Sequence, residues 1–84
     1  MAIARLVGYD EFVDFITSNP TTKAVSEFRL SESTEAYIDS LLEANREGTI
    51  TPDAQEELDE YIRLEHLMRS AKIRALEKQK DAEA

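Results

Sequence analysis

The chain has 84 residues, 10 basic against 18 acidic side chains, a net charge of −8 and no cysteine. Disulfides and thiolate metal centres are thereby excluded, and the acidic balance repels a phosphate backbone, so direct nucleic-acid binding is not expected. The longest apolar stretches fall far short of the roughly 20 residues a bilayer span needs. The expectation is therefore a soluble, cytoplasmic domain whose small core is reinforced by oligomerisation or by a partner.

Residues 1–8 are apolar and short. They read equally as a loose arm, as a strand added to a partner, or as a segment packed on the rest of the chain. Gly8, Asp10, Glu11 and Asp14 interrupt them before a signal-peptide core forms, and no targeting signal is read.

From 10 to 18, Phe12, Val13, Phe15 and Ile16 follow a short helical pattern with acids at its start. Asn19 and Pro20 predict a cap and a first helical position for one further turn, with Phe28 and Leu30 anchoring the loop that follows. Ser31 caps a helix over 31–47, whose apolar face is Tyr37, Ile38, Leu41 and Leu42. Glu35, Asp39 and Glu43 line its opposite side. Gly48 is placed to close this helix in the left-handed conformation.

Thr51, Pro52 and Asp53 form the clearest start signal in the chain, and no breaker follows before Lys78. A long helix over 52–78 is predicted, with 79–84 fraying. The short connection makes helices 31–47 and 52–78 an antiparallel hairpin, giving an all-α fold.

Apolar residues spread over roughly two-thirds of the long helix's circumference, more than one partner helix can cover. The stretch from Ala71 to Leu76 lies beyond the reach of helix 31–47. A second chain or another protein is the expected cover, and two copies are expected to pair across a two-fold axis. The candidate partner-binding face is Tyr61, Leu64, Leu67, Met68 and Ala71, extended by Lys72 and Leu76.

His66 is the only histidine, and Arg63, not glutamate, stands three residues before it. The Glu-x-x-His spacing of carboxylate di-metal bundles is thus absent. A site built from Glu35, Asp39 and His66 is the weakest of the readings kept. The segment from Asn45 to Asp53 has a glycine between two helices but lacks the alternating oxygen ligands of a calcium loop. The acids at Glu56, Glu57, Asp59 and Glu60 read as a solvated face. Glu65, Arg69 and Lys72 fit an intrahelical salt-bridge ladder, with register-setting across a dimer as its functional counterpart. No serine or threonine lies in a triad pattern and no glycine-rich loop would cradle phosphate, so neither enzyme activity nor a cofactor is expected.

Charge is divided along the chain. Residues 1–60 carry 4 basic and 14 acidic groups, net −10, whereas residues 61–84 carry 6 and 4, net +2. The cations Arg63, Arg69, Lys72, Arg74, Lys78 and Lys80 complement a helix C-terminus, and Lys72 and Arg74 would also serve as a docking point for an acidic partner.

The runs Asp14-Phe-Ile-Thr-Ser, Phe28-Arg-Leu-Ser-Glu, Leu41-Leu-Glu-Ala-Asn-Arg-Glu-Gly-Thr-Ile-Thr-Pro and Glu57-Leu-Asp-Glu-Tyr-Ile-Arg-Leu-Glu-His-Leu-Met-Arg-Ser-Ala-Lys resemble a group of small helical bacterial proteins, frequent in cyanobacteria. Such proteins are antitoxin-like in size and are often encoded beside nuclease-type genes, HNH and PIN types among them. The resemblance implies a module that neutralises or assists a nuclease-like partner. Members tend to carry glutamate after Thr-Pro, whereas this chain has Asp53-Ala54, which keeps the acidic start and loses a full capping box. The expected function is thus an interaction module that masks a partner through the long helix. The alternatives are a homo-oligomeric structural protein and, less favoured, a small carboxylate and histidine metal-binding protein.

Overall fold

Four helices and no strand occupy the residues described by the computed structural model, 7–83: α1 (Tyr9–Ile16), α2 (Thr22–Glu27), α3 (Glu32–Glu47) and α4 (Pro52–Glu83). The reading of residues 1–6 as an arm, and the terminal Ala84, lie outside the described residues. Within them, Val7 is buried and belongs to the core.

α1 starts at Gly8, whose φ of 85° lies in the left-handed region and whose carbonyl accepts from Phe12 N at 3.1 Å. No side chain caps this end. A Cβ added here would lie 3.1 Å from one Leu30 methyl and 3.2 Å from a Leu64 methyl. Glycine is therefore required twice over, for its torsion angle and for its missing side chain.

The turn after α1 differs from expectation. Asn19, expected as a cap, takes φ 61°, a conformation asparagine tolerates because its short amide can bond locally. The cap shifts to Thr21, whose hydroxyl accepts from Ala24 N at 3.1 Å. Pro20 consequently precedes α2 and does not open it.

α3 is capped as expected. Ser31 Oγ accepts from Thr34 N at 3.3 Å, and Gly48 closes the far end at φ 75°. Thr49 N bonds Ala44 O at 2.9 Å and Gly48 N bonds Asn45 O at 3.2 Å, the paired closure that satisfies the last carbonyls of a helix. Thr51 caps α4, accepting from Ala54 N at 3.2 Å. α4 continues to Glu83, past the expected end at Lys78, because the tail contains no glycine or proline.

The core gathers Val7, Leu30, Ile38, Leu64 and Met68, with Tyr9, Phe12, Phe28 and Tyr61 packed around it. Phe28, in the link between α2 and α3, meets Phe12 edge-on at 5.8 Å and stacks on Phe15 at 4.4 Å. Both α2 and α3 pack against α4. On α3, Ile38 and Leu41 are buried while Tyr37 and Leu42 stay largely exposed, so its inner face is narrower than the four-residue pattern implies.

One carboxylate ties α1 to α3. Glu11 accepts from Ser31 N at 2.7 Å, from Ser31 Oγ at 3.1 Å and from the Thr34 hydroxyl. The Thr34 bond, helped by those from Ser31, holds the Glu11 carboxyl below its usual 4.5, against a smaller opposing effect of burial. This anion sits at the start of α3, where the helix dipole also favours it.

Two outcomes follow from this geometry. Gly8→Ala should cost about 1–2 kcal/mol for the torsion alone, with the Leu30 and Leu64 contacts adding to it. Gly48→Ala, where an added Cβ meets nothing within 4 Å, should cost less, and thermal melts of the two variants separate packing from torsion. Because the Glu11 pKa is lowered on folding, its contribution is fully present above the unfolded value and disappears as pH falls through the folded one. Glu11→Gln should therefore be less stable at pH 7, by about 0.5 kcal/mol once solvent screening is allowed for, and show a flatter acid limb in denaturant titrations from pH 7 to 3.

A candidate interaction surface on the long helix

α4 has 32 residues, so it extends about 48 Å, close to the 50 Å length of the molecule. At roughly 100° per residue, α4 packs against α2 and α3 and leaves another side outward. The two sides are chemically distinct.

The inner side takes up most of the face expected to bind a partner. Leu64 is 0% and Met68 9% exposed, and both are spent on the chain's own core. Tyr61, Ala71 and Lys72 are half-buried, and only Leu67 and Leu76 of that set are exposed. The stretch from Ala71 to Leu76 is not wholly without cover from within the chain, because Ala75 is 4% exposed and α2 packs against α4. α2, a helix of six residues, is the element whose role the periodicity of α4 alone could not reveal.

The outward side carries Ile62, Ile73 and Leu76, exposed by 44%, 51% and 54%. Leu67 projects from a different side of the helix. Ile62 and Ile73 belonged to the wide apolar arc but not to the expected face. The signal that could have found them is their angular distance from Leu64 and Met68. Exposed apolar side chains also occur on α1, at Val13 and Ile16.

Three ion pairs run along α4 among the described residues. Arg63 bonds Glu60, Arg69 bonds Glu65, and Arg74 lies 3.9 Å from Glu77. The expected ladder is formed at its first rung only, since Lys72 has no ion-pair partner among the described residues. The arginines are largely exposed and Glu60 and Glu65 half-buried, so each pair contributes a few tenths of a kcal/mol.

Two shallow clefts adjoin Tyr61. One, of about 220 Å³, lies between the α2–α3 link and α4 and includes Phe28, Met68, Arg69 and Lys72. The other, of about 250 Å³, lies beside Ile38, Asp39 and Leu42, and both share Arg29 and Glu35. Arg29 is bonded to Glu35 at 3.3 Å, which neutralises the charge at their junction. Burial, then the nearby carboxylates of Glu65, Glu35 and Asp39, push the Tyr61 hydroxyl above its ordinary value and keep it protonated. Protonated tyrosine here is a hydrogen-bonding and packing group.

Glu35, Asp39 and His66 do not converge into a metal-binding group, and no three such side chains do so among the described residues. His66 is exposed. The loop from Asn45 to Asp53 is taken up with closing α3 and capping α4. No helix among the described residues is long and apolar enough to cross a membrane. Compared with protein-family models, with curated proteins and with solved structures, the chain finds no match.

Proposed function

We propose that this chain is a protein-interaction module that engages a partner protein through the outward strip of α4. The observation that carries the reading is the exposure of Ile62, Ile73 and Leu76 on a helix whose inner side is already filled by its own chain. Large aliphatic groups left in water along one side of a long, regular helix are the chemistry of a helix-mediated contact. In this reading α3 and α4 act as an antiparallel hairpin that holds the strip straight. The setting is the cytoplasm, as the cysteine-free composition favours. The resemblance to antitoxin-like proteins supports an accessory or neutralising role in which the acidic surface faces a basic, nuclease-like partner.

The test separates the strip from the core. The tagged chain is returned to its native host, co-purifying protein is identified, and binding to it is titrated by calorimetry. Ile73→Glu and Leu76→Glu should each weaken binding at least about tenfold while leaving the melting temperature within a few degrees of the parent. Leu64→Ala should instead cost about 2–5 kcal/mol of stability. Strip variants that bind as tightly as the parent would refute the assignment.

A further inference from the structure

We infer that the cleft between the α2–α3 link and α4 binds a small carboxylate with an apolar body, a chemistry shared by free aryl acids and the carboxyl-terminal aromatic residue of a polypeptide. The site is separate from the outward strip and goes beyond the interaction reading. Along α4, Tyr61, Glu65, Met68 and Lys72 recur at helical spacing and line one side for about 16 Å. Opposite them the link supplies Phe28, Arg29 and Leu30, and α3 supplies Glu35. Leu30 and Met68 are buried, and with the half-buried Phe28 they make an apolar floor.

The rim carries a surplus of donors. Three cations, Arg29, Arg69 and Lys72, stand with two carboxylates, Glu35 and Glu65, and no other charged side chain lines the cleft. The lining is thus cationic by one charge in a chain of net −8. Asp39 belongs to the neighbouring cleft, and Lys23 and Glu27 of α2 lie outside the lining. Each arginine gives only Nη2 to its carboxylate, Arg29 to Glu35 at 3.3 Å and Arg69 to Glu65, so Nε and Nη1 of both keep their N–H groups. Lys72 has no ion-pair partner among the described residues. Around Tyr61 the carboxylates of Glu65, Glu35 and Asp39 outweigh Arg69, which directs an anion to the other end. There Arg69 and Lys72, three residues apart, stand on one face where a single carboxylate accepts from both. The apolar body then lies over Phe28, Leu30 and Met68. At about 220 Å³ the cleft is smaller than the roughly 300 Å³ at which pockets for drug-sized ligands begin, so its occupant is one ring with a short acid arm.

The experiment is a titration of the full isotope-labelled chain with phenylpropionate, followed by amide chemical shifts. The shifts should saturate with a Kd on the order of a few mM, as so small a ligand in so open a cleft allows. They should centre on Leu30, Arg69 and Lys72 and leave Ile62 and Ile73 of the strip unmoved. Phenylpropanol, which keeps the ring and loses the charge, and propionate, which keeps the charge and loses the ring, should each bind at least about fivefold more weakly. Lys72→Ala should weaken phenylpropionate about fivefold, whereas Lys80→Ala, which removes an exposed cation outside the cleft, should leave it unchanged. N-acetylphenylalanine binding more tightly than phenylpropionate identifies a polypeptide carboxyl terminus as the source, and the reverse order a free acid. Shifts that never saturate, an alcohol that binds as well as the acid, or equal losses in the Lys72 and Lys80 variants overturn the assignment.

Discussion

The close approach at Gly8 is the constraint on which the rest depends. Leu30, from the link between α2 and α3, and Leu64, from the middle of α4, both reach to within contact of the position a Cβ would occupy on Gly8. Three segments distant in sequence are thus held at one point, and Leu64 becomes one of the two most completely buried side chains described. Around this point the remaining contacts fall into place. Val7 enters the core beside it, Phe12 and Phe15 grip Phe28 above it, and Glu11 fastens α1 to the start of α3. Because the core is small, each of these contacts is a large share of the few kcal/mol by which a domain of this size stays folded.

A core assembled in this way determines which parts of α4 are left over. Contacts with α2 and α3 take Leu58, Leu64, Met68 and Ala75 out of water. Four aliphatic side chains of α4 remain exposed, Ile62, Ile73 and Leu76 along one side and Leu67 on another, with charged groups between them.

Residues with a local mechanism were legible in the sequence. Ser31, Gly48, Thr51 and Pro52 act through hydrogen bonds and torsion angles within a few residues of themselves, and α3 and α4 start where they indicate. Asn19 misled because two local solutions compete there, a side-chain cap and a left-handed turn, and the neighbouring Thr21 supplies the cap. The candidate face was legible only as an arc. Periodicity shows that α4 is apolar on many sides but cannot show which side a helix as short as α2 will cover, since that depends on contacts distant in sequence. Leu64 and Met68, which the arc offers as part of a partner-binding face, lie in the chain's own core, while Ile62 and Ile73 are exposed. The Glu11 clamp left no sequence signal, because its partners lie 20 and 23 residues away.

The shortness of α2 has its own consequence. Six residues form too little helix to persist in water unaided, so α2 exists only while docked on α4. When it lifts off, Phe28 is pulled away from Phe12 and Phe15, and α1 loses its aromatic contacts in the same event. α1 and α2 are thus coupled through Phe28, and their amide protons are expected to exchange together. The hydrogen bonds in the middle of α4, beneath α3, outlast them.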